Sequence, residues 1–270
     1  MIATLHGIYH YPVKSLGGNR IQQAQICSEG MVNDRRWLIT DLNGKFLTAR
    51  RYPRMLLWQA SMDTQHNLTL TAPNGDSQSI SVQACRQNFE VTVWKDTFIA
   101  YTASDEVNQW LSKHLDTPCL LHYLGEKSHR LLKDYNTALS FADSAPYLLT
   151  TTASLNALNQ HLESPVSMTH FRPNLVIDGD FEPWIEQQWR DIRIGEVHFE
   201  FLKCCTRCVM INIDPKTGEK SVTHQPFKTL QHLQRQLVDS NGDTIFGIHL
   251  IAKHGGTIRQ GSRVDVSKGH

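Results

Sequence analysis

Three thiols fall within five residues in Lys203-Cys204-Cys205-Thr206-Arg207-Cys208-Val209, and the turn-forming stretch Asp214-Pro215-Lys216-Thr217-Gly218 follows shortly after. Sulfur at that spacing can share one metal or one redox step. Arg207 stands beside Cys208, and a guanidinium next to a thiol favours the thiolate, the form that binds metals and attacks electrophiles. Cys208 is therefore the candidate reactive sulfur. From the residues alone two other readings stay open. The cysteines are small buried apolar side chains at a strand end, or Cys205 and Cys208 make half of a zinc knuckle that His198 or His224 completes. A ferredoxin-type cluster needs a fourth cysteine in suitable spacing, and none follows Cys208. Cys27, Cys85 and Cys119 stand alone, and the 14 histidines show no paired metal-ligand spacing, so they read as surface or packing residues.

The elements that must carry this segment are mostly strands. Trp37 and Ile39 alternate with polar neighbours, Asp41-Leu42-Asn43-Gly44 makes a tight turn, and Phe46 to Thr48 resumes an extended pattern. Alternation recurs at Asn67 to Thr71, at Ile80 and Val82, at Val91 to Trp94 and at Phe98 to Ala100. The first half reads as a β-barrel or sandwich. Ser104 then caps a predicted helix with Asp105 and Glu106 in its first turn and Val107, Trp110, Leu111 and Leu115 on one face. Beyond it, Tyr147 to Leu149, Leu175 to Ile177, Ile192 to Leu202, Val209 to Ile213 and Phe246 to Ile251 read as β, with helices through Leu155, Leu158 and Leu162 and from Pro226 to Leu237. The fold class expected is mainly β with some helix (α+β), divided into residues 1–120, a β-barrel-like domain, and 121–270, a second β-rich domain with peripheral helices.

A chain of 270 residues with 40% hydrophobic and 20% charged composition can build a full core. Its formal charge of +1 supplies no global field for nucleic acid or an anionic membrane, so neither is an expected partner, and anions must be bound by local Lys and Arg. No run approaches a membrane span, and His6, Gly7, His10 and Pro12 interrupt any signal-peptide core. Reduced thiols in a cytoplasmic protein are the expectation.

Tyr11-Pro12-Val13-Lys14-Ser15, Asp34-Arg35-Arg36-Trp37, Phe171-Arg172-Pro173-Asn174 and Cys205-Thr206-Arg207-Cys208 with Asp214 to Gly218 together resemble, in order, the MOSC proteins. The resemblance is to the branch of the mitochondrial amidoxime-reducing component and its bacterial relatives, which reduce N-hydroxylated compounds at a molybdenum-pterin cofactor. It implies that residues 1–120 are the family's N-terminal β-barrel domain and 121–270 its MOSC domain. It also implies that Cys208 is the molybdenum ligand, which suits a polarisable thiolate. Lys14, Arg35 and Arg172 then hold the cofactor's phosphate, Asn174 offers a donor and an acceptor to the pterin edge, and Ser15, Arg50 and Arg207 add contacts. Thr151 to Ser154 either cap a helix or bind an anion. No cysteines remain to build a cluster, so an electron-donor redox protein is an expected partner; some bacterial relatives instead continue into a ferredoxin-like domain. Two alternatives remain: a sulfur carrier or transferase using a Cys208 persulfide, and a zinc-stabilised non-enzymatic β protein.

Overall fold

The computed structural model describes residues 3–132, 135–237 and 243–268. Among them the largest sheet closes on itself. Its order runs Leu175–Asp178, Tyr147–Thr151, Ile245–Ala252, Val197–Thr206, Trp189–Ile194, Arg263–Lys268 and Ala3–His10, and Ala3–His10 pairs back onto Leu175–Asp178. Six strands of this seven-stranded barrel come from the second half of the chain and one from the N-terminus. All neighbours are antiparallel except Tyr147–Thr151 and Leu175–Asp178, whose parallel pairing requires the crossover made by helix α2 (Thr152–Asn159). Alternate side chains point inward, and Leu5, Ile8, Leu149, Ile177, Ile192, Phe199, Ile248 and Leu250 fill the interior.

The first half forms a smaller barrel-like unit. Trp37–Thr40, Leu120–Tyr123, Asp96–Thr102 and Gln87–Val93 make a four-stranded sheet, and its two edges are joined where Phe46 pairs with Thr40 and Lys45 with Thr92. A three-stranded sheet of Gln59–Met62, Leu68–Thr71 and Ser77–Ile80 covers it, sharing a core with Val13, Trp37, Trp58, Leu70 and Leu111. Leu111 arrives on helix α1 (Asp105–Leu115), whose N-cap is Ser104 as expected; the serine side chain makes no capping bond to the backbone. Helix α3 (Phe227–Leu237) buries Leu230 and Leu233 against a third cluster. No helix among the described residues is long and apolar enough to cross a membrane.

Two local expectations change. Val209–Asn212 is a 3-10 turn rather than a strand, because Ile211 N–H bonds back to Cys208 O and Ile213 N–H to Met210 O. The apolar run satisfied its burial by turning, with Ile211 and Ile213 inside and Val209 exposed. The extended pattern expected for Phe46 to Thr48 likewise runs into a turn, with the amides of Arg51 and Tyr52 both donating to Thr48 O.

Candidate functional site

The first two motifs brace one another. Tyr11 N–H donates to Asp34 Oδ1 at 2.7 Å, Arg35 N–H to Tyr11 O at 2.7 Å, Trp37 N–H to Pro12 O at 3.1 Å and Lys14 N–H to Trp37 O at 2.9 Å. These bonds set Lys14, Ser15 and Arg35 at one edge of the barrel. Phe171-Arg172-Pro173-Asn174 joins them there: Asn174 N–H donates to Leu148 O, and Asn174 O accepts from Tyr9 N–H. The cysteine strand completes the rim. Val197–Thr206 loses regular register against Ile245–Ala252 between Cys204 and Thr206, an irregularity that re-aims Cys205. Gly247 serves this crossing, with φ +81° and its α-carbon so near the next strand that a Cβ would lie 2.5 Å from Leu149 O.

A cleft of about 180 Å³ opens between these segments. All eight residues singled out from the sequence line it: Lys14, Ser15, Arg35 and Arg50 on one side, Arg172, Asn174, Arg207 and Cys208 on the other. Three of them, Ser15, Arg35 and Arg172, adopt left-handed backbone with φ of 72°, 51° and 52°. Such conformations cost a residue bearing a Cβ on the order of 1 kcal/mol or more each, and they cluster where function requires them.

Five cationic side chains line the cleft against one carboxylate, Asp143. Buried Lys14 donates to Asp143 Oδ1 at 2.5 Å and to Phe141 O at 2.8 Å. Burial pulls its ammonium down to about 8, although Asp143 works the other way. Arg35 pairs with Asp34 and reaches Asn174 Oδ1 at 3.2 Å. The Arg35 and Arg172 guanidiniums lie over the Tyr11 ring at 4.6 and 4.4 Å. Burial, opposed by Tyr11 and reinforced by neighbouring Arg35, draws Arg172 down to about 10. Among the described residues Arg172 and Arg50 make no ion pair; Arg172 donates to Leu16 O, and Arg50 to Thr48 Oγ1. Ser15 Oγ donates to Leu47 O, which leaves its lone pairs open.

Two expected contacts take a different form, and one choice left open is decided. Arg207 does not serve Cys208: its Nη1 donates to Cys205 Sγ at 3.0 Å and its Nη2 to Phe171 O at 2.7 Å. Burial would raise the Cys205 thiol, but Arg207 and then His249 outweigh it and bring the thiol to about 6. Cys205 is thus a charged member of the cleft rather than packing, and Cys208 lies exposed at its edge. Asn174 is fully engaged within the protein. Its Oδ1 accepts from Arg35 and Leu148 N–H, and its Nδ2 donates to Tyr9 O and Asp34 Oδ2, so it holds Arg35 in place and has no donor left for a pterin edge. Thr151 caps α2 by accepting from Ser154 N–H, and the hydroxyls of both bond to buried Glu186, which settles that segment as a cap.

Sequence reasoning passed over Trp94, Asp143 and His249, all lining the cleft. His249 had a signal, being the one polar side chain in the apolar run Phe246 to Ile251. Its Nε2 lies 3.3 Å from Ser144 Oγ. Asp143 and Trp94 lie in a loop and a hairpin turn, and no local pattern marks them. Nor do the described residues contain any group of three or more His, Cys, Asp or Glu placed to hold a bare metal ion, so a zinc knuckle at Cys205 and Cys208 has no geometric support. His198 instead pairs with Asp191 at 2.9 Å. A metal bound at Cys208 must bring most of its ligands with it.

Fold and site together define a two-part β-barrel protein with a cation-lined cleft and an accessible thiol at its edge. The chain belongs to the MOSC family: residues 2–118 match the MOSC N-terminal beta barrel domain and residues 136–265 the MOSC domain. It is 28% identical over 277 residues to the molybdenum cofactor sulfurase of Arabidopsis thaliana, covering 90% of this chain and 32% of that protein. Mitochondrial amidoxime-reducing component 1 of Homo sapiens is 28% identical over 289 residues, covering 97% of this chain and 82% of that protein. The same component of Mus musculus is 29% identical over 283 residues with the same coverage. The chain therefore spans only 32% of the length of the plant sulfurase, and most of the length of the amidoxime-reducing components.

Proposed function

We propose that this protein is a molybdenum-pterin oxidoreductase that reduces N-hydroxylated compounds, with Cys208 as the protein's ligand to the metal and electrons supplied by a partner redox protein. The observation that carries this reading is the meeting, in one cleft, of an exposed thiol and five cations from five segments of the chain. The donor set fits the cofactor. A single accessible sulfur suits a metal whose other ligands are the pterin's own dithiolene sulfurs, and Arg172 and Arg50, which make no ion pair among the described residues, suit a phosphate, with Lys14 and Arg35 adding charge although Asp143 and Asp34 pair with them. Arg207 Nε adds a buried donor with no partner among the described residues.

When bound, the cofactor supplies two-electron removal of oxygen from nitrogen, a reaction that also consumes two protons and releases water. The chain's own residues bind and orient. Lys14, Arg35 and Arg172 hold the phosphate, Asp34 and Asn174 fix the Arg35 fork, and Cys205 with Phe171 O fixes Arg207 beside the thiol segment. The sulfurase relatives and the exposure of Cys208 favour one second reading, in which Cys208 carries a persulfide and hands its sulfur to a cofactor.

Protein made in a host that synthesises the pterin cofactor should reduce benzamidoxime to benzamidine with an artificial electron donor, and Cys208→Ser should abolish turnover. Cyanide-labile sulfur on Cys208 without such reduction would move the assignment to sulfur transfer.

A further inference from the structure

Val222 is the most exposed large apolar side chain among the described residues, at 93%, and its turn is tied to the segment that carries Cys208. Ser221 N–H donates to Asn212 O at 2.8 Å, Phe227 N–H to Asn212 Oδ1 at 2.9 Å, and Gln225 N–H to Ser221 Oγ at 3.0 Å. Asn212 ends the 3-10 turn Val209–Asn212, whose first residue follows Cys208 directly and is itself 57% exposed. Scattered exposed valines need no explanation, but two held by hydrogen-bonded backbone on either side of one turn, next to an accessible thiol, do.

Cations stand around them. The hairpin closed by the pairing of Ile213 with Lys220 exposes Lys216 and Lys220, and α3 opens with exposed Lys228. Exposed Arg54 meets the same hairpin from the first half of the chain: a Cβ on Gly218 would lie 3.3 Å from its α-carbon. None of the four makes an ion pair among the described residues. Between Val209 and Lys228 the one exposed carboxylate is Glu219, and half-buried Asp214 accepts the Lys216 amide on Oδ1 at 2.8 Å.

We propose that this face is the docking surface for an electron-carrier protein that presents carboxylates around its redox centre. The proposal rests on the reductase reading and locates its partner. Unpaired cations around apolar side chains match an acidic face: the charges steer the encounter, and Val209 and Val222 lose exposed apolar surface on contact. A carrier seated there touches the chain one residue from Cys208. A one-electron carrier docks twice in each turnover. Two reduced carriers are each oxidised by one electron, and those two electrons with two protons from solvent turn N–OH into N–H and water.

Calorimetric binding of plant-type ferredoxin, a small acidic carrier, to cofactor-loaded protein at low ionic strength tests the surface without turnover. Lys216→Glu with Lys220→Glu should weaken binding about tenfold, with the difference shrinking as salt is added, and Val222→Ser should weaken it about threefold. The same change of charge elsewhere, Arg259→Glu with Arg263→Glu, should leave it unaltered. No ferredoxin binding, equal affinity in wild type and the Lys216/Lys220 variant, or an equal loss in the Arg259/Arg263 variant overturns the surface. Self-association that Val222→Ser abolishes, without ferredoxin binding, overturns it in favour of a second copy of the chain. Turnover separates this from the reductase reading. Protein that reduces benzamidoxime with methyl viologen, but whose ferredoxin affinity ignores the Lys216 and Lys220 reversals, keeps the reductase reading and loses the surface. Protein that binds ferredoxin through those lysines but reduces nothing with either donor does the reverse.

Discussion

Arg207 Nη1 sits 3.0 Å from Cys205 Sγ, so the guanidinium that stands next to Cys208 in sequence charges the other cysteine of the motif. Extended backbone explains the choice, since neighbours i and i+1 point to opposite faces and i and i+2 share one. The motif thereby divides its labour. Cys208 is left accessible, and Cys205 becomes a buried anion that locks Arg207.

The Cys205 thiolate should be visible in the ultraviolet. In a Cys208→Ser background, thiolate absorbance should grow in as pH rises through about 6, and Arg207→Gln should move that step above the ordinary value of 9.0, because burial then acts with only His249 opposing it. The folded thiol lies below its unfolded value, so its contribution to stability is fully present above pH 9 and is lost as pH falls through 6. Absence of any thiolate step below pH 8 would contradict the pairing.

Lys14 should make anion binding pH-dependent. With its ammonium drawn down to about 8 by burial, the cleft loses one positive charge as pH rises through that value, and a bound phosphate, which favours the charged form, shifts the loss upward. Calorimetry with inorganic phosphate should show affinity about tenfold lower in Lys14→Met below pH 8, and the difference between variant and wild type should shrink above it. A constant difference across the range would exclude Lys14 as the titrating cation.

Asp34 should carry the largest structural load in the site. It is 2% exposed and accepts from Tyr11 N–H, Arg35 and Asn174, so Asp34→Ala leaves its own buried partners unsatisfied and strips a partly buried guanidinium of its carboxylate. Denaturant unfolding should show a loss of about 3–5 kcal/mol, with Asn174→Ala costing less because the Arg35 ion pair survives. A loss under about 1 kcal/mol would mean that the pair behaves as a solvated surface contact.

Much of this was legible in sequence because local rules govern it. Period-2 alternation marked the strand Trp37–Thr40 and the end of Gln87–Val93, an apolar run marked Ile245–Ala252, and the apolar spacing after Ser104 marked α1. The cleft members were reached through the resemblance of their motifs to a known family, and phosphate chemistry only makes sense of the cations among them. What was not legible depends on which side chain faces which across the fold. Closure of the barrel by Ala3–His10 is a long-range pairing, and the internal engagement of Asn174 arises from four partners in three segments. The Val209–Ile213 run carries the same apolar signal whether it extends or turns; Cys208 O accepting from Ile211 N–H decides it.

The central claim is that Cys208 is the protein's one ligand to a molybdenum that arrives with its own chelate. Metal analysis of wild type, Cys208→Ser and Cys205→Ser, each made in a host that synthesises the pterin cofactor, tests it most directly. The account predicts about one molybdenum and one pterin per chain in wild type, molybdenum lost or readily removed by gel filtration in Cys208→Ser, and metal retained in Cys205→Ser. Full retention of tightly held molybdenum in Cys208→Ser, or stoichiometric zinc with no pterin in wild type, would contradict it.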